Sequence, residues 1–82
     1  MGHILKVDGT VEPIGDLSLR SLQQAVGGYI QIVNLPKGML MVMDEEGKLK
    51  GKEVNQKATE IYNNPNDVVV GDVIVCKNNE ID

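Results

Sequence analysis

Turn signals divide this chain into pieces too short for any large element. Asp8-Gly9, Gly27-Gly28, Leu35-Pro36-Lys37-Gly38, Asp44-Glu45-Glu46-Gly47 and Asn63-Asn64-Pro65 each interrupt an apolar run. Glycine supplies left-handed backbone and proline presets φ, so the chain is expected to reverse direction at these points. What such spacing permits is a sheet of short strands with small helices docked on it.

The runs "HILKV" and "TVEPI" flank Asp8-Gly9. That pattern predicts a two-residue hairpin in which both turn positions take positive φ. Pro13 cannot donate to a ladder, so the second strand is expected to end there or lie on an edge. "YIQIVN" and "MLMVM" follow as strands around the Leu35–Gly38 turn. Tyr29, Gln31 and Val33 would share one face of their strand, and Ile30, Ile32 and Asn34 the other. "MLMVM" holds no polar residue, which predicts a strand covered on both faces, or an interface. "DEEG" then leads into an expected third strand around Lys48-Leu49-Lys50. The closing run "DVVVGDVIVCK" reads as one bent strand or two, broken near Gly71-Asp72.

Two helices are predicted. In "GDLSLRSLQQAVGG", Leu19, Leu22 and Val26 recur on one face, Asp16 or Ser18 can cap the start, and Gly27-Gly28 can stop it. In "NQKATEIYNN", Asn55 is the cap, Ala58, Ile61 and Tyr62 form the stripe, and Pro65 forbids continuation. The expected fold class is α+β: an antiparallel or mixed sheet of about five to six strands with two short helices. A single domain is expected over residues 1–77, with residues 78–82 as a frayed polar tail.

With 82 residues, the chain buries only roughly 60–65% of its unfolded surface, so its stability margin is thin. Its core must be built without Phe or Trp. A single cysteine, Cys76, excludes an internal disulfide and fits a reducing compartment. Lying in "VIVCK", it reads as a half-buried strand thiol rather than a nucleophile. No His, Cys and carboxylate set has metal-ligand spacing, which leaves self-association as the expected reinforcement. The net charge of −4 and the two lone tyrosines argue against extended nucleic-acid binding. No apolar run reaches the ~20 residues of a membrane span, and there is no signal-peptide pattern, so a soluble cytoplasmic protein is expected.

Five of the eight basic residues fall between positions 37 and 57: Lys37, Lys48, Lys50, Lys52 and Lys57. In an extended strand, Lys48, Lys50 and Lys52 would leave one face together, with Leu49 pointing into the core. Asn55 follows directly, and free amides at a helix start favour an anion. Lysines also guard strand edges against aggregation, which requires no ligand. Tyr29 and Tyr62 are the only groups able to stack on a base, and Asn64, with Asn63 and Asn66, offers amide edges. Packing and turn formation account for the same residues. The carboxylates Asp44, Glu45, Glu46, Asp67 and Asp72 lack an oxygen-ligand pattern, and no nucleophile stands beside a base. No catalytic residue, metal or cofactor is expected.

The motifs V-G-G-Y-I (Val26 to Ile30), L-P-x-G (Leu35 to Gly38), E-G-K-L (Glu46 to Leu49), N-x-x-A-T (Asn55 to Thr59) and G-D-V-I-V (Gly71 to Val75) occur in that order. Their order resembles a family of small phage and mobile-element domains of unknown function. "KGKEVN" stands here where members often carry prolines before the asparagine. The resemblance implies a phage origin and action in the cytoplasm of an infected bacterium. By analogy with small oligomeric phage proteins that sequester immune nucleotide signals, it implies a non-catalytic homo-oligomer binding a cyclic dinucleotide or ADP-ribose-type molecule. Lys48, Lys50 and Lys52 would hold phosphates, with Lys57 beside them. The Asn55 helix start would hold an oxygen, and Tyr62 or Tyr29, with Asn64, the base. The alternative is an interaction module whose "MLMVM" strand or Gln-rich first helix inhibits a host protein.

Overall fold

A computed structural model describes residues 2–81. Met1 and Asp82, the outermost residues of the expected domain and tail, lie outside them. Five strands, β1 (Gly2–Leu5), β2 (Val11–Ile14), β3 (Ile30–Leu35), β4 (Met39–Asp44) and β5 (Val73–Lys77), form one sheet in the order β2-β1-β5-β4-β3. Every neighbouring pair is antiparallel. The helices are α1 (Leu19–Val26) and α2 (Gln56–Tyr62). The α+β expectation therefore holds.

Each face of the sheet carries one helix. Leu22 and Val26 of α1 pack on Val42 and Ile74. On the opposite face, Ala58 of α2 joins Leu5, Leu35, Met41, Val69 and Val73, with Tyr62 packed against them. This alternation explains "MLMVM": Leu40 and Val42 look one way, Met41 the other, and all three are buried. The strand is covered on both faces, so it is not itself a docking surface.

Local chemistry sets the element ends. Ser18 caps α1 by accepting from Ser21 N, and Gly27 closes it in the left-handed region at φ 86°. Between β3 and β4 the chain turns through Lys37 at φ 63° and Gly38 at φ 73°. Pro13 sits on the edge strand β2, as expected, and Gly71 (φ 77°) breaks the final run before β5.

Four expectations are corrected. The β1–β2 hairpin is a three-residue loop in which only Gly9 has positive φ. Gly9 N and Thr10 O both bond to Lys6, and the Asp8 carboxylate accepts from Thr10 N and Oγ1, holding Asp8 at negative φ. Secondly, no strand forms at Lys48-Leu49-Lys50. Residues 45–51 are consecutive turns, closed by Lys50 N to Glu46 O and Lys52 N to Gly47 O, and Leu49 is 87% exposed. Thirdly, Leu19 and Ile61 point outward instead of completing their helical stripes. Finally, residues 78–80 form a 3₁₀ turn in which Glu80 accepts from Lys77 N, and Ile81 packs against the α1 side of the core.

Candidate functional site

The lysine-rich stretch does not present a row of free ammonium groups. Because the chain turns after β4 instead of extending, Lys50 and Lys52 curl back onto Asp44, the last residue of that strand. Both Nζ atoms lie 2.8 Å from Asp44 Oδ2, and Glu46 N donates to Oδ1 at 2.9 Å. The same two ammonium groups donate to the C-terminal carbonyls of α1: Lys50 to Gly27 O at 3.1 Å and Lys52 to Val26 O at 2.5 Å. Carbonyls at a helix end lack intrahelical partners and carry partial negative charge, so cations belong there. Burial alone would raise the Asp44 pKa. The hydrogen bonds from Lys50 and Lys52 outweigh it and hold the carboxyl at about 2.

The other expected ligand groups are dispersed. Lys48 pairs with Asp67, so the three lysines do not converge on one face. Asn55 is buried, and its polar atoms are already used. Oδ1 accepts from Ala58 N at 3.0 Å, and Nδ2 donates to Leu5 O at 2.8 Å and Gly71 O at 2.9 Å. It fastens α2 to β1 and to the residue before Asp72, and no face is left for a ligand. Lys57 is exposed on the first turn of α2, and Asn64 closes a local turn by accepting from Asn66 N. Tyr62 is half-buried against the core. Tyr29, by contrast, is 68% exposed, beside Gln23, Gly28, Glu46 and Lys50 in a shallow cleft of about 280 Å³. Cys76 is buried, and burial pushes its thiol up.

The sequence did not single out the outer edge of β3. Ile30↔Asp44 through Leu35↔Met39 are Cα partners, and Glu45 N donates to Tyr29 O at 2.9 Å in the same register. Antiparallel ladders alternate bonded and non-bonded pairs, so Tyr29, Gln31, Val33 and Leu35 direct their amides toward β4. Ile30, Ile32 and Asn34 therefore direct N–H and C=O outward, where no strand of the described residues follows. Beside this edge, on the α1 face, runs a groove of about 700 Å³, lined by Leu19, Leu22, Ile30 and Ile32 and also by Ser18 and Glu80. Leu19 is 59% exposed and Ile32 44%.

The two edges of the sheet differ. β2 is four residues long and carries Pro13 and Glu12, the latter paired with Lys6 at 2.7 Å. Short length, proline and charge are the devices that keep an edge unpaired. β3 is six residues long, "IQIVNL", and has none of them. The signal was available as the uncharged run "YIQIVN", but strand order, which makes it an edge, is not written in local sequence.

Among the described residues no helix is long and apolar enough to cross a membrane, and no group of three His, Cys, Asp or Glu is placed to hold a metal. A family model described as "Domain of unknown function (DUF3846)" matches residues 1–82. No curated protein and no solved structure matches the chain.

Proposed function

The chain belongs to this family of unknown function, and on that premise we propose that it is a non-catalytic protein-interaction module working through the outer edge of β3. The observation that carries this is the contrast between a guarded β2 and an unguarded β3 flanked by a groove that mixes leucine and isoleucine side chains with Ser18 and Glu80. Strand addition supplies affinity through main-chain hydrogen bonds and specificity through alternate side chains. Here the outward amides of Ile30, Ile32 and Asn34 would supply the first, and the Leu19–Ile32 groove the second. The order of motifs that resembles small phage and mobile-element domains supports the cytoplasm of an infected bacterium as the setting, and inhibition of a host protein as one use of such a module.

A photo-crosslinking amino acid at position 34, compared with one at position 12 on β2, tests the proposal in expressing bacteria. A covalent protein adduct from position 34 in excess of that from position 12 is expected. Equal or no adducts contradict it.

Sequestration of a nucleotide-derived molecule is the second reading, and one observation favours it. Tyr29 stands exposed beside Lys50 and Gln23 in a cleft open enough for a base to stack. Calorimetric titration with cyclic dinucleotides and ADP-ribose tests it: binding that Tyr29→Ala weakens supports sequestration, and no heat across the panel removes it.

A further inference from the structure

The partner strand that suits the β3 edge must be uncharged, about six residues long, and able to place β-branched side chains over the groove. β3 itself meets that description. We propose that the partner is a second copy of this chain, paired antiparallel through β3 about a two-fold axis at Ile32. The inference rests on the reading of β3 as the working edge and names its occupant.

The register follows from the amides. Only Ile30, Ile32 and Asn34 direct N–H and C=O outward, so they must form the bonded pairs of the new ladder. Pairing Ile32 with Ile32 of the second copy, and Ile30 with its Asn34, satisfies all three on both chains. The two-fold axis stands perpendicular to the sheet, so both α1 helices end on the same side. The two grooves then face each other across the axis, each bringing its exposed Leu19 and Ile32 with it, along with Glu80, whose carboxylate accepts from Lys77 N. The five-stranded sheet becomes a continuous ten-stranded one, with β2 at both ends.

The absence of charge on β3 permits this partner despite the like net charge of the two copies. Each copy carries −4, so any contact between copies must avoid the acidic surface. β3 is free of charge along its whole length. The opposite edge would set Glu12 against an identical strand, and Pro13 withholds a donor. A charged strand from another protein would find no counter-charge on β3. The arrangement also supplies the reinforcement that a chain of this size without disulfide or metal is expected to need.

Sedimentation of the purified chain, combined with cysteine crosslinking, tests the proposal. Ile32→Cys is expected to form a disulfide-linked dimer under mild oxidation, because bonded antiparallel partners sit about 5.5 Å apart at Cα. Asn34→Cys, whose partner is Ile30, is expected to crosslink far more slowly. Ile32→Lys is expected to weaken self-association at least about tenfold, whereas Val11→Lys, at an equally exposed site on β2, leaves it unchanged. Ile32 is partly exposed, and circular dichroism confirms that each variant is folded. A monomer at every concentration up to about 1 mM, or a dimer indifferent to Ile32→Lys, overturns the proposal. If the chain is monomeric yet position 34 still crosslinks to another protein, only the second copy is excluded. If position 34 crosslinks to nothing, the reading of the edge itself falls.

Discussion

Lys52 joins two elements through one ammonium group: its Nζ lies 2.8 Å from Asp44 Oδ2 at the end of β4 and 2.5 Å from Val26 O at the end of α1. Lys50 repeats the link to Gly27 O. The positive charge that looked like a ligand cradle therefore fastens the first helix to the sheet.

Asp44→Asn removes the counter-charge of both lysines. The lysines are partly exposed and can relax toward water, so the cost is set at about 1–3 kcal/mol in urea unfolding, below that of breaking a fully buried pair. The pH dependence has a definite sign. The carboxyl is held at about 2 against an ordinary 3.8, so the stabilisation is complete above about pH 4 and is lost as pH falls toward 2. The expected loss is about 2 kcal/mol, absent in Asp44→Asn. Parallel acid titrations of the two proteins that superimpose would contradict the assignment.

Asn55→Ala is expected to cost about 2–4 kcal/mol, because it removes a helix cap and leaves the Leu5 and Gly71 carbonyls buried without their donor. Asn55→Asp keeps the cap acceptor but not the two donors, so it should unfold nearly as easily as the alanine variant. If aspartate restored wild-type stability, capping alone would account for the residue.

Gly71→Ala combines left-handed backbone at φ 77° with a methyl placed 2.8 Å from Lys52 Cδ. A cost of about 1–3 kcal/mol is expected in the wild-type background. In Lys52→Ala only the backbone share, about 1 kcal/mol, should remain. Equal costs in both backgrounds would show that Lys52 is not held over Gly71.

Leu19→Glu is expected to leave the unfolding midpoint within about 0.5 kcal/mol of wild type, since Leu19 contributes little to the core. The same change should weaken self-association, because it places charge in the shared groove. A strongly destabilised Leu19→Glu would mean that the groove belongs to the core.

Local chemistry made much of the fold legible. The caps at Ser18, Gly27 and Asn55, the turn at Pro36 to Gly38 and the break at Gly71 rest on interactions within a few residues, and the burial of "MLMVM" is legible from its unbroken apolar composition. The failures have one physical origin. Lys48, Lys50 and Lys52 alternate as a strand does, but their acceptors, Asp67, Asp44 and the end of α1, are distant in sequence and come together only on folding. Asn55 looked like an open helix start because its two long-range acceptors, Leu5 O and Gly71 O, cannot be read locally. The β3 edge escaped notice because it is defined by the strand order.

Amide hydrogen exchange at Ile32 probes the central claim directly. With β3 used as a docking edge, the Ile32 amide should exchange slowly in concentrated protein and speed up on dilution, while Val33, bonded inward to β4, stays protected throughout. An Ile32 amide that exchanges freely at every concentration, and in every complex the protein forms, would contradict the account.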